Sequence, residues 1–162
     1  MKQKLIIISG SPCVGKTTVT DVLYEKFNNS AYLDCDWVWN VNPFSIEDPR
    51  LRNGDKSVSY VLSNYLESGF EYVFCSSVIF TDKDIRENIL KNIEYKNFDI
   101  IGISLMCTEK TLFERHKNRG DNNDVSYYWL RLGPYSGDYV VNTDDKKIDD
   151  IVEELKNIII KN

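Results

Sequence analysis

The sequence predicts an α/β fold, a parallel sheet of five strands with helices on both faces. Two observations carry that reading. Apolar runs at 4–9, 31–34, 72–80, 99–107 and 138–142 are separated by stretches with helical periodicity. Nearly all of these runs, Leu5-Ile6-Ile7-Ile8 above all, are continuously apolar where a half-exposed strand would alternate, which is the pattern of strands covered from both sides. No internal repeat or low-complexity segment interrupts the pattern. The 162 residues, 42% of them hydrophobic, suffice for one cored domain over 1–162.

Taken in order, Lys4 to Ser9 is a buried strand. Lys16 to Phe27 is helical, with Val19, Val22, Leu23 and Phe27 near one face. Ala31 to Asp34 is a short second strand, and residues 37–56, which hold Pro43, Pro49 and Gly54, read as irregular. Ser57 to Leu66 is a helix facing the core with Val58, Val61, Leu62 and Tyr65. The third strand lies within 72–80, and Thr81 is placed as the cap of a helix running to about Ile93. The fourth strand is 99–107, after which Thr108 caps the helix "TEKTLFERHKNR". A helical stretch around Tyr127 to Leu132, a fifth strand at 138–142 and a last helix from Lys147 to Ile160 complete the chain. That helix carries Ile148, Ile151, Val152, Leu155, Ile158 and Ile159. In such sheets ligands sit at the carboxyl ends of the strands.

Composition excludes several classes. A net charge of −5 gives no overall basic field for nucleic acid. The cysteines at 13, 35, 75 and 107 form no Cys-x-x-Cys pair, so they read as reduced thiols of a cytoplasmic protein. The amino-terminal apolar run is too short for a signal peptide, and no stretch approaches a membrane span. A monomer and a homodimer are both compatible with the sequence.

Directly behind the first strand, Gly10-Ser11-Pro12-Cys13-Val14-Gly15-Lys16-Thr17 fits G-x-x-x-x-G-K-[ST], the Walker A pattern. The glycines let the backbone turn so that successive N–H groups point at one anion, and the helix behind adds its positive end. Lys16 is expected to reach the β- and γ-phosphates of ATP, with Thr17, followed by Thr18, coordinating magnesium (Mg2+) through its hydroxyl.

GTPase look-alikes fail on position: Asp99-Ile-Ile-Gly102 opens a strand, and Asn118-Arg119-Gly120-Asp121 follows a charged helix. A motor ATPase needs a carboxylate at the end of a hydrophobic strand, where this chain has "FCSSV". A small-molecule kinase needs an acceptor-side carboxylate and an arginine-bearing lid. Asp34 and Asp36 follow the second strand, and in extended chain they share a side. One can hold magnesium through its water, and the other can take the proton of an attacking hydroxyl. Arg115 and Arg119, four apart on a helix, point the same way into a polar loop. Arg131, beyond that loop, is a further candidate for stabilising the transferred group.

Together the loop, Asp34-Cys35-Asp36, "TLFERHKNRG" and "VVNTDDKKIDDIVEEL" resemble the small P-loop kinases of the shikimate kinase, gluconate kinase and chloramphenicol phosphotransferase type, relatives of adenylate kinase. The resemblance spans most of the chain. It implies a three-layer P-loop NTPase fold with strand order 2-3-1-4-5, an acceptor-binding segment at about 37–68 and a lid at about 118–126. It also implies that Asp34 positions magnesium, that Asp36 contacts the acceptor hydroxyl and that the lid arginines contact ATP. The loop after the fifth strand would flank adenine, which points to Asn142 and Thr143. Shikimate kinases carry a glycine-rich segment after the third strand and an arginine-proline lid. Here "CSSVIF" and the acidic Gly120-Asp121-Asn122-Asn123-Asp124 stand instead, so the mechanism carries over and the acceptor does not.

The segment "DWVWNVNPF" places Trp37, Trp39 and Phe44 among Asn40 and Asn42, which suits an aromatic or sugar-like acceptor. Arg50 and Arg52 are the cations available to an anionic one. The reading is an ATP-dependent phosphotransferase acting on a hydroxyl of a small molecule. A nucleoside or nucleotide kinase and an ATP-binding module with little turnover are the alternatives.

Overall fold

A computed structural model describes residues 2–45, 47–120 and 124–162. Its centre is β1 (Gln3–Ser9), whose Leu5 to Ile8 are fully buried because helices cover both faces. It pairs in parallel with β3 (Tyr72–Ser76) on one side and β4 (Phe98–Met106) on the other. Outside them lie β2 (Ser30–Asp34) and β5 (Tyr139–Asn142), so the order is 2-3-1-4-5 and every pairing is parallel, as expected. The register sets Asp34 against Ser76 and Ser9 against Ser104, with β4 running on to Met106, so the carboxyl ends of the parallel strands open at one edge.

Alternation along β1 splits the core. Ile6 and Ile8 join Val19, Leu23, Phe74, Ile103 and Leu105 on the face of α1 (Lys16–Leu23) and α6 (Ile148–Lys161). Leu5 and Ile7 join Val58, Leu62, Val73, Phe80 and Ile89 on the face of α2 (Gly54–Glu67) and α3 (Lys83–Lys91). Each such side chain contributes roughly 1.5–3 kcal/mol by leaving water. Cover is thinner at the β5 edge, where Tyr139 and Val140 are exposed.

Several boundaries differ from expectation, each for a local reason. The first helix stops at Leu23 and tightens into a 3₁₀ turn, Tyr24–Lys26, whose Tyr24 carbonyl accepts from both the Phe27 amide and the Ser30 hydroxyl. Residues 37–56 are not merely irregular: 3₁₀ turns cover Cys35–Trp39 and Pro49–Asn53, and the second feeds straight into α2. Gly54 therefore opens a helix, and it is glycine because a Cβ there would collide with the Trp39 indole. Thr81 does not cap α3; it ends a 3₁₀ turn, Val78–Thr81, and the Asp82 carboxylate accepts from the Ile85 amide at 3.0 Å. Thr108 does cap α4 (Glu109–Arg119), accepting from the Thr111 amide at 3.2 Å. Behind α4 comes the short α5 (Tyr128–Leu132).

One feature of the core was not anticipated. Arg86 of α3 and Asp138, just before β5, form a two-pronged ion pair at 2.8 and 2.9 Å with both side chains almost fully buried. The Ser104 hydroxyl at 2.8 Å and the Ser9 hydroxyl at 3.4 Å also donate to Asp138, and Arg86 lies 3.9 Å from the Tyr135 ring centre. Gly102 leaves room for this pair, since a Cβ there would collide with the Asp138 carboxylate. Ser9 at the end of β1 and Ser104 of β4 are thereby tied to α3.

Candidate active site

The loop between β1 and α1 takes positive φ at Gly10 (138°), Cys13 (64°) and Gly15 (106°). At Cys13 that conformation is strained for a residue with a side chain. At Gly10 only glycine fits, because a Cβ would run into the Leu105 carbonyl. Such a succession of turned peptides forms a nest of amides at a helix start. The residues present therefore fit a polyphosphate. Lys16 is 8% exposed, and its Nζ donates to the Ser11 carbonyl at 3.0 Å. Burial lowers its pKa from 10.5 to about 8, against the opposing pull of Asp36 and then Asp34.

Asp34 closes β2. Its Oδ2 accepts from the Thr17 hydroxyl at 3.0 Å, and its Oδ1 accepts from the Asp36 amide at 3.1 Å. The expectation that Asp34 and Asp36 share a side as extended chain does not hold, because a 3₁₀ turn begins at Cys35. Both nevertheless face one cavity of about 860 Å3, together with Cys13, Val14, Gly15, Lys16, Thr17 and Thr18. The Ser77 hydroxyl, at the end of β3, donates to Asp36 Oδ1 at 2.7 Å.

Arg115 and Arg119 project from α4 into the same cavity. Arg115 donates to the Val14 carbonyl (3.0 Å), the Thr143 hydroxyl (2.9 Å) and the Thr143 carbonyl (2.8 Å), which fixes α4 to the loop. Arg119 approaches the Cys13 sulfur at 3.9 Å. Arg131 does not line the cavity; its Nε donates to Glu109 at 2.7 Å on an exposed face. Gly10 and Ser11 shape the cavity from behind without lining it. The lid residues Asp121, Asn122 and Asn123 lie outside the described residues.

Asn142 and Thr143 do not line the cavity either. Thr143 is fully buried and bonds the Met106 carbonyl through both amide (2.8 Å) and hydroxyl (3.1 Å), while Asn142 Oδ1 accepts from the Asp144 amide at 2.6 Å. Lys146, Ile148 and Ile151, a few residues later, face the cavity instead. Ile148 is 45% exposed there.

Trp37 and Trp39 divide. Trp39 is core, 7% exposed, with its Nε1 donating to the Leu51 carbonyl at 2.8 Å. Trp37 is 72% exposed and lines the cavity with Asp36 and Val78. Arg50 is paired with Asp48 at 2.6 Å and Arg52 with Asp55 at 3.5 Å, and neither lines the cavity. The cations that line the cavity are Lys16, Arg115, Arg119 and Lys146. Sequence reasoning missed Ser77, Val78, Lys146 and Ile148. The signal for the first pair was a strand ending in serines where a carboxylate had been sought. No helix among the described residues is long and apolar enough to cross a membrane.

A family model described as an AAA domain matches residues 6–129. No curated protein sequence matches the chain. Among solved structures, the tunicamycin resistance protein of Deinococcus radiodurans superposes with a TM-score of 0.69 at 14% identity, covering 98% of this chain and 96% of that one. A gluconokinase from Sinorhizobium meliloti 1021 gives 0.68 at 14% identity, with 99% and 93% covered. The shikimate kinase of Acinetobacter baumannii, in complex with shikimate, gives 0.63 at 18% identity, with 98% and 94% covered. At these identities the likeness is one of fold, that of the small P-loop kinases.

Proposed function

The chain belongs to the AAA domain family, and from that premise we propose that it is an ATP-dependent phosphotransferase moving the γ-phosphate to a hydroxyl of a small, uncharged acceptor. The observation that carries this reading is that Asp36 faces the same cavity as Lys16 and Thr17 and acts on the Lys16 ammonium as its strongest charged neighbour. With Asp34 available to the metal, a second carboxylate in the cavity is what a kinase needs for the acceptor hydroxyl.

In this reading the nest of amides and Lys16 bind the β- and γ-phosphates, and Arg115 and Arg119 add positive charge from α4. The Thr17 hydroxyl and Asp34 would hold Mg2+, which when bound neutralises charge on the phosphates. Asp36 orients the acceptor hydroxyl and takes its proton as the oxygen attacks phosphorus. None of the cavity's cations, Lys16, Arg115, Arg119 and Lys146, comes from the segment 37–68 that supplies Trp37, which disfavours a nucleoside monophosphate and favours a neutral acceptor whose flat face rests on Trp37. A nucleoside, a sugar-like metabolite and a hydroxylated antibiotic all satisfy that description.

The test is ATP consumption against a library of metabolites, nucleosides and antibiotics, with Lys16→Ala as blank. Asp36→Asn should then lower turnover of the best acceptor by about 10²- to 10⁴-fold and leave ATP affinity within a few-fold. Turnover unchanged by Asp36→Asn would leave a nucleotide-binding module instead.

A further inference from the structure

The geometry points to Ser77 as the residue that positions Asp36. This rests on the reading of Asp36 as the base and adds the group through which that base is aimed. Asp36 itself is exposed on a 3₁₀ turn, a poor platform for a group whose oxygen must meet a substrate proton. Ser77 is the opposite. It is 1% exposed, stands directly behind β3 and donates its amide to the Ile8 carbonyl of β1 at 3.3 Å.

The direction of the Ser77–Asp36 bond follows from proton counting. The Ser77 oxygen lies 3.4 Å from the Ile79 amide, which gives a proton and opens the turn Val78–Thr81. The single hydroxyl proton is left for Asp36 Oδ1, at 2.7 Å, the short distance of a bond to a carboxylate. One oxygen of Asp36 is thus pinned to a residue bonded to the central strand β1, while Asp36 itself lines the cavity. The same β-strand end places Val78 on the cavity wall, so one short segment, Ser77-Val78, sets both the aim of the base and the surface beside it.

Position and mere support separate in a double-substitution cycle with MgATP as substrate and water as acceptor, read as phosphate release. Ser77→Ala should lower kcat by about 10- to 100-fold, the scale of a misplaced catalytic group, with KM for ATP within about twofold. Ser77→Thr, which keeps the hydroxyl, should restore most of it, and Ser77→Cys, a poorer donor of similar shape, should not. In the Asp36→Asn background Ser77→Ala should cost nothing further. A second readout needs no turnover: in the ligand-free protein Ser77→Ala or Ser77→Cys should move the Asp36 carboxyl carbon resonance and leave that of Asp34 in place. An equal loss in both backgrounds, or an unmoved Asp36 resonance, overturns the positioning role. Wild-type kcat in Asp36→Asn alone overturns the base reading instead, so the two failures are told apart.

Discussion

The two halves of the cavity are built by different means. On the phosphate-loop side, groups are fixed by backbone: three positive-φ turns aim the amides, Lys16 is tied to the Ser11 carbonyl, and Arg115 is held by three bonds to Val14 and Thr143. On the Asp36 side, Asp36, Trp37 and Val78 ride on short 3₁₀ turns, and Trp37 is largely exposed. The first half is preorganised for one shape of ligand, and the second leaves its specificity to side chains. A common phosphate donor with a changeable acceptor needs that division.

The rigid half has a foundation whose removal should give the largest effect. Asp138→Ala would strand Arg86 as a buried charge and leave the Ser104 hydroxyl without its 2.8 Å partner. Breaking such a pair from one side costs about 3–5 kcal/mol, which urea unfolding would read as a lower midpoint at unchanged slope. Replacing both members, Arg86→Met with Asp138→Leu, should recover most of that loss, because a well-packed apolar pair is often as stable as a buried ionic one. A one-sided loss below about 1 kcal/mol would show that the pair is not the clamp the burial implies.

Lys16 gives the next effect, and its sign distinguishes function from stability. In the folded, ligand-free chain burial holds its pKa at about 8, against 10.5 unperturbed. Between those values the unfolded chain binds more protons, so stability rises with pH. The penalty is fully in force below pH 8 and absent above 10.5, and it amounts to roughly 3 kcal/mol. Lys16→Met should therefore be more stable than wild type at pH 7, and the gap should close as pH approaches 10.5, in urea titrations at both ends. A gap that widens with pH would mean that the opposing carboxylates, Asp36 and Asp34, outweigh burial. The phosphate-loop half thus gives up stability to keep a cation where an anion will arrive.

How much of this was legible follows the same division. The loop was readable because its chemistry is contiguous: glycines at fixed spacing, a lysine and a threonine behind a strand leave one backbone solution. The sheet was readable because strands buried on both faces cannot hide their apolarity. Asp34 and Asp36 were placed at the cavity through an incorrect local geometry, extended chain where there is a 3₁₀ turn. Proximity to the strand end mattered more than the side-chain period. Asn142, Thr143 and Arg131 lie off the cavity lining because their partners are tertiary. Nothing in "VVNTDDKKI" tells that Thr143 turns inward to the Met106 carbonyl while Ile148 turns out, and nothing in "YYWLRLG" tells that Glu109 captures Arg131. Ser77 was invisible for a related reason, since a serine becomes a positioning group only when a strand forty residues away ends beside it.

The smallest predicted effect separates the two tryptophans of "DWVW", which the sequence could not tell apart. Trp39 fills the core against Gly54 and bonds Leu51, so Trp39→Ala should cost about 3–5 kcal/mol of stability. Trp37→Ala should change stability by about 0.5 kcal/mol or less, because the ring is already 72% in water. Its effect should appear only with the acceptor: a KM raised by about three- to tenfold, the scale of one stacked ring, with kcat and ATP affinity within about twofold and Trp37→Phe close to wild type. The check independent of turnover is quenching by acrylamide, which the acceptor should reduce in Trp39→Phe protein and leave unchanged in Trp37→Phe. Protection seen equally in both would place the acceptor elsewhere than on Trp37. The Asp36 half of the cavity would then owe its selectivity to Val78 and the segment beyond it.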